Sequence, residues 1–373
     1  MRFEILHRSS RSQARVGRIH TPHGVIDTPN FVAVGTHASI KSLDSQAVDA
    51  IGLQLIFCNT YHLLLQPGPD IIQESGGLHR FMRRSQPIIT DSGGFQIFSL
   101  AYGSIHQELK SQGKKMGTGS VLKVSEEGVL FRSYRDGSSL LLTPESSVTT
   151  QKALGADIII PLDELLPYHA SSDRLKASLE RTHRWEERSL LHHLKKPKQQ
   201  GILGVIHGGL SEDMRKLSCR TLTRLPFDGF AIGGSLGKNK EEMIPLVAFT
   251  RKQLPPEAPI HLLGIADPPS FPHCIPLGID TFDSAYPTKA ARHGTLFTSQ
   301  GNLNITRKVH AREQIPVAPN CPCATCTHYS RAYLHHLFKA HELTAYSLAT
   351  IHNLTFMKEM MVNYRQQILH NTI

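Results

Sequence analysis

The chain has 373 residues, 41 Lys plus Arg against 31 Asp plus Glu, and a formal charge of +10. That length supports one large domain or two average ones, and the basic excess favours a polyanionic partner such as nucleic acid. No run approaches the roughly 20 apolar residues a membrane span requires, and the polar start lacks a signal-peptide core, so a cytoplasmic protein with no membrane partner is expected.

Eight short apolar runs recur in chain order, at 31–35, 55–58, 87–90, 157–162, 201–206, 227–232, 259–263 and 278–282. Each is near-continuous rather than alternating, as parallel strands covered on both faces read. Between them lie stretches such as 241–254, with apolar residues three and four apart, the spacing of an amphipathic helix. The residues just after the runs are polar, charged or glycine: Thr36-His37, Asn59-Thr60, Asp91-Ser92, Asp163-Glu164, His207-Gly208, Gly233-Gly234, Gly264 and Asp283. In a (β/α)8 barrel the strand C-termini converge on one face, where chemistry is placed. An α/β fold built as a (β/α)8 TIM barrel is therefore expected. The alternative is a doubly wound open sheet, weakened because no Gly-x-Gly-x-x-Gly or P-loop follows the first run. About 65 residues separate the third and fourth runs, and the Gly/Lys/Ser-rich part at 112–120 reads as a surface excursion. Helices are expected at about 330–350 and 354–369.

Three of the six cysteines are clustered as Cys321-x-Cys323-x-x-Cys326. Such close spacing suits thiolate ligands better than disulfides, and points to a reducing compartment. A fourth ligand would close a tetrahedral, structural zinc site. By spacing alone His328, His335, His336, His341 and His352 all compete, and three buried unligated cysteines are the bland alternative.

Asp91, Asp163 and Asp283 each close an apolar run. Carboxylates gathered at one barrel mouth can cleave a glycosidic bond, one as nucleophile at the anomeric carbon and another as acid/base. The competing explanation is local helix N-capping.

At these residues the sequence resembles the tRNA-guanine transglycosylase, or queuine tRNA-ribosyltransferase, family over nearly its whole length. The resemblance is carried by Thr90-Asp-Ser-Gly-Gly-Phe-Gln96, Phe227-Asp-Gly-Phe-Ala-Ile-Gly-Gly234, Gly278-Ile-Asp-Thr-Phe-Asp283, Pro287-Thr288, the cysteine knuckle, Ser330-Arg-Ala-Tyr-Leu-His-His336 and Ile351-His-Asn-Leu354. It implies a single barrel domain over 1–373, with a zinc-binding subdomain at about 305–355 and Cys321, Cys323, Cys326 and His352 as Zn2+ ligands. It implies Asp283 as the nucleophile toward ribose C1′ and Asp91 as general acid/base, in two displacements at one carbon. Base binding falls to Asp91, Ser92, Gly93, Gly94, Phe95, Asp163, His207 and Gly234. A carboxylate at 163 suits the N1–H and N2 donors of guanine, a backbone N–H at Gly234 suits O6, and Phe95 offers a stacking face. RNA contact falls to Gly264, Ile265, Ala266, Asp267, Pro268, Pro269 and Ser270, and to Thr288, Lys289, Ala290, Ala291 and Arg292. The implied partners are a tRNA anticodon loop with guanine at position 34 in a G-U-N context, a free 7-deazaguanine base and a second copy of the chain.

The sequence departs from the bacterial pattern at His207, where glutamine is usual, at Leu165, where cysteine is usual, and at Lys289, where arginine is usual. The segment Gly233-Gly-Ser-Leu-Gly237 is one residue short, and the C-terminus stops early. These changes surround the space for the 7-substituent, so a remodelled pocket is expected, leaning toward queuine over 7-aminomethyl-7-deazaguanine. Two rival readings remain: a non-catalytic tRNA-binding paralogue, disfavoured because all three aspartates are kept, and a barrel glycosidase, disfavoured by the basic charge. An archaeal-type relative would carry a further C-terminal RNA-binding domain.

Overall fold

The computed structural model describes residues 1–102 and 120–373. The excursion expected at 112–120 falls, apart from Ser120, outside the described residues.

Each of the eight apolar runs overlaps a strand, and the eight pair in parallel as one closed barrel. The strands are Asn30–Val34, Ile56–Cys58, Ile88–Thr90, Ile158–Ile159, Gly201–Ile206, Gly229–Ile232, Ile260–Leu262 and Thr281–Ser284. Closure is made where Phe282 of the eighth strand pairs with Phe31 of the first. The open-sheet alternative is thereby excluded. The runs are continuous because successive side chains face two different apolar environments. Val32, Phe57, Ile89, Ile158, Val205 and Ala231 fill the interior. Their neighbours Phe31, Ile56, Ile88, Ile159, Ile206 and Ile232 face the surrounding helices.

The eighth strand lies later than the run at 278–282 suggested. Gly278 adopts φ +81°, a left-handed backbone that stops the preceding 3-10 turn. Asp280 is consumed in a buried ion pair with Arg15, Nε to Oδ1 2.9 Å, both side chains 1% exposed. Asp283 thus lies within the strand rather than after it.

Helices follow the strands, with side chains marking their starts. Ser211 accepts from Met214 N and Asn239 from Glu242 N, satisfying free N–H groups of the helices Glu212–Leu222 and Lys240–Lys252. The N-terminal end of the barrel is plugged by an antiparallel sheet of Arg2–Arg8, Arg15–Thr21 and Gly24–Thr28, whose Ile19 and Ile26 join the interior cluster. A second antiparallel sheet, Val121–Val124, Val129–Arg132 and Ser139–Leu142, packs through Phe131 and Leu142 against Phe98 and Trp185.

Beyond the eighth strand the chain forms the helices Tyr286–Arg292, Ala324–His328, Arg331–Lys339 and Leu343–Leu369. The break expected near 350–354 is absent: it falls at 340–342, where His341 takes a left-handed φ of +59°. His352 accordingly sits inside a 27-residue helix rather than at a junction. Leu296, Ile305, Val317, Leu334, Leu337 and Leu348 build an apolar cluster here, separate from the barrel core. Among the described residues no helix is long and apolar enough to cross a membrane.

Candidate active site and metal centre

The C-terminal ends of the strands gather the three aspartates at one mouth. None of the three caps the helix that follows it locally. The helix Gly94–Tyr102 is met by Ser92, whose Oγ accepts from Gly94 N at 3.1 Å. The helix Tyr286–Arg292 is met by Ser284, whose Oγ accepts from Tyr286 N at 3.0 Å. After Asp163, Ser171 caps the helix Ser172–Leu194.

Asp91 is buried, one oxygen accepting from Thr60 N at 2.7 Å and the other from Asn59 Nδ2 at 2.8 Å. Burial pushes its pKa from 3.8 up to about 6; the bonds from Asn59, Thr60 and Gln96 oppose that rise, and the nearby Asp163 carboxylate adds to it. A carboxyl group with such a value holds both protonation states near neutral pH, as an acid/base catalyst must.

Asp283 is organised differently. Its Oδ1 takes two donors, Gly264 N at 2.8 Å and His261 Nε2 at 3.0 Å, while His261 Nδ1 lies 2.8 Å from Thr281 Oγ1. Among the described residues no hydrogen-bond donor reaches Oδ2, so one oxygen is anchored and the other is left for an electrophile.

Asp163 lies between its neighbours, with Ser92 Oγ 3.2 Å from Oδ1 and His207 Nε2 2.8 Å from Oδ2. With Nε2–H donated to the carboxylate, Nδ1 is left as an acceptor. It lies 2.9 Å from where a Cβ on Gly234 would stand, and Gly234 has φ +75°. Two reasons therefore restrict position 234 to glycine. Gly94 is held as tightly, since a Cβ there would come within 2.8 Å of the Asp163 carbonyl oxygen. Gly93, at φ +88°, turns the chain between Ser92 and the helix carrying Phe95, whose side chain is 56% exposed at the mouth.

Beside His207 and Gly234 opens a cavity of about 250 Å3, also lined by Leu165, Gly209 and Ser235. Burial and then Lys41 and Arg135 lower the pKa of His37, and burial, His37 and Lys41 bring His62 down to about 4.

The segments expected to meet RNA are only partly outward. Gly264 and Pro269 are exposed, Ile265, Asp267 and Pro268 half-buried, and Ala266 and Ser270 buried. Asp267 is tied to Lys240 Nζ at 2.6 Å and to Ser270 Oγ at 2.6 Å. Thr288, Ala290 and Ala291 face inward because one side of the helix Tyr286–Arg292 packs on the core. Lys289 is exposed, and half-buried Arg292 donates to Thr288 O at 3.0 Å.

Sequence reasoning passed over Asn59, Thr60, Gln96 and His261 as functional partners. Asn59-Thr60 stood out only as polar residues after a strand. His261 lay within an apolar run and carried no signal.

Away from the mouth, Cys321, Cys323 and Cys326 place Sγ 3.8, 3.6 and 3.3 Å from His352 Nδ1. Zinc–ligand bonds of about 2.3 Å to sulfur and about 2.0–2.1 Å to nitrogen put S and N about 3.6 Å apart in a tetrahedron. The donor set and spacing thus fit a metal ion. His352 is fully buried and Nε2 donates to Phe297 O at 2.8 Å, which turns Nδ1 toward the sulfurs. His335 is engaged with Ile305 O at 2.8 Å and takes no part.

Residues 10–373 match the family model described as queuine tRNA-ribosyltransferase. A protein of that name from Protochlamydia amoebophila is 62% identical over 372 residues, spanning all of this chain and 96% of its own. Two more so named, from Chlamydia abortus and Chlamydia trachomatis, are 56% and 54% identical over the full length of both chains. With the closed barrel, the aspartates at its mouth and the Cys3His cluster in place, the chain belongs to the queuine tRNA-ribosyltransferase family.

Proposed function

We propose that this chain is a tRNA-guanine transglycosylase, a pentosyltransferase that exchanges guanine 34 of G-U-N anticodons for a 7-deazaguanine base in queuosine formation. The observation that carries the assignment of roles is the contrast between Asp283, with one oxygen anchored and one free, and buried Asp91, with its raised pKa. Asp283 Oδ2 attacks ribose C1′ and the C1′–N9 bond breaks, its electron pair leaving with guanine. Asp91 gives the departing base its proton. The resulting carboxylate then takes the N9 proton of the incoming base, whose nitrogen displaces Asp283 from C1′. Two displacements at one carbon retain configuration.

Asp163 accepts from the N1–H and N2 donors of the base, the N–H of Gly234 donates to O6, and Phe95 stacks. The cavity beside His207, Leu165 and Ser235 supports a base with a large 7-substituent, so queuine is favoured over 7-aminomethyl-7-deazaguanine. Exposed Lys289 and half-buried Arg292, with exposed Lys41 and Arg135, suit the phosphates of an anticodon loop in the cytoplasm. Zn2+ fits the Cys3His cluster as a structural ion within a subdomain at about 305–355 of the single 1–373 barrel. Exposed Tyr333 and Leu343 on that region suit a homodimer contact.

Incubation with tRNA and labelled guanine tests the reading: label enters RNA only if the base is exchanged. Asp283→Asn should lose both incorporation and the covalent RNA adduct trapped by denaturation. Adduct retained in that variant, or no incorporation by the parent chain, defeats it.

A further inference from the structure

Arg215, near the start of the helix Glu212–Leu222, is 0% exposed. Burial brings its pKa down to about 10, so the guanidinium stays charged at neutral pH. A buried cation is costly unless it is paired and fully hydrogen-bonded. Among the described residues it meets no carboxylate, and its bonds go instead to four backbone carbonyl oxygens. Nε donates to Gly209 O at 2.8 Å, Nη1 to Ile206 O at 3.4 Å, and Nη2 to both Gly233 O and Ser235 O at 3.1 Å. These oxygens belong to the ends of two neighbouring barrel strands and the turns that follow, one carrying His207 and the other Gly234.

A trans peptide directs its carbonyl oxygen and the following N–H to opposite sides. With Gly233 O held against Arg215, the Gly234 N–H faces away from the guanidinium, and among the described residues no acceptor meets it. Gly234 lines the cavity beside His207, whereas Arg215 lies behind it and does not. Between two glycines no side chain restrains the peptide plane. A rotated plane would present an oxygen where the N–H now stands, and that oxygen would repel a carbonyl group on a ligand. The orientation has to be imposed from outside the turn, and Nη2 is the donor placed to impose it.

We propose that Arg215 is a positioning residue for the base: its hold on Gly233 O and Ser235 O keeps the Gly234 N–H aimed at O6 of the purine. Its bonds to Ile206 O and Gly209 O keep that donor in register with His207, which in turn meets Asp163. The role rests on the pocket's being the guanine site proposed above. A planar fork with several fixed donors suits it, and a lysine ammonium on a flexible stem does not.

The test compares Arg215→Lys, which keeps the charge but not the fork, with Arg215→Met, which removes the cation and orphans no carboxylate. Guanine and 6-thioguanine compete against labelled guanine in the tRNA exchange assay. The sulfur analogue keeps the N1–H and 2-amino donors for Asp163 but offers a weak acceptor at position 6. The parent chain should prefer guanine, and in both variants that preference should fall about tenfold, the worth of one hydrogen bond. KM for guanine should rise while KM for tRNA is unchanged. Variants that lose guanine and 6-thioguanine equally, or lose neither, overturn the proposal. Unfolding of both variants, read by circular dichroism, overturns it too, since Arg215 would then be a structural residue only. A parent chain that incorporates no guanine, or does not distinguish the two bases, defeats the guanine-site reading itself and the role of Arg215 with it.

Discussion

Asp91→Asn should stabilise the fold above neutral pH while abolishing base exchange. In the folded chain the Asp91 carboxyl group is raised by burial from 3.8 to about 6. Between those values the folded chain keeps the proton that the unfolded chain has already released. Stability therefore falls as pH rises through that window, and the loss is complete above the folded-state value. A displacement of this size corresponds to about 3 kcal/mol. The amide removes the buried charge and keeps an acceptor for Thr60 N, so the variant escapes the loss. Urea denaturation of both proteins should show the amide more stable by up to about 3 kcal/mol at pH 8, less whatever the amide loses at Asn59. The advantage should shrink by about 1.5 kcal/mol on going to pH 5. An advantage independent of pH, or none at pH 8, would refute the claim that Asp91 is held in a desolvated site against its charge.

His207→Gln should shift base choice. It replaces the ring nitrogen bonded to Asp163 by an amide that can donate to the base itself, and competition against labelled guanine should move about tenfold toward the aminomethyl base, the scale of one pocket contact. Lys289→Ala should weaken tRNA binding and lower the slope of log affinity against log salt by about 1, with exchange at saturating tRNA unchanged. Cys323→Ser should cost the bound Zn2+ and lower the unfolding midpoint by several degrees, because three remaining ligands hold the ion poorly; an unchanged midpoint by calorimetry would deny it a structural role.

The barrel was legible because its strands are buried on both sides, which writes eight unbroken apolar runs into the chain. Elements with one wet face were harder. Arg2–Arg8 and Arg15–Thr21 mix charged and apolar residues, and Ile19 and Ile26 become core only by plugging a barrel that local pattern cannot show. The helix break was misplaced because His341, not glycine, takes the left-handed backbone, and a residue that pays for its conformation through its surroundings leaves no local mark. Asp283 and the clustered cysteines stood out in the sequence because chemistry restricts which residue types could serve as nucleophile or metal ligand. Thr60, by contrast, acts on Asp91 through a backbone N–H that any residue except proline supplies, and its position alone gives it the role.

Three aspartates at equivalent strand ends are alike in sequence, so their division of labour has to come from their surroundings. Asp91 has each oxygen taken by a donor from the loop after the second strand and is shut away from water, which suits a group that holds and releases a proton without leaving its place. Asp163 meets Ser92 on one oxygen and His207 on the other, and a carboxylate with two acceptor oxygens has lone pairs left for the edge of a purine. Asp283 alone has both donors on the same oxygen. That asymmetry fixes the orientation of the carboxylate while sparing the oxygen that, on the proposed mechanism, forms a bond to carbon. Moving the Gly264 N–H to the other oxygen would anchor the group equally well and block the reaction. The left-handed turn at Gly264, φ +72°, presents that N–H, so on the proposed mechanism it serves Asp283 as well as leading out of the seventh strand.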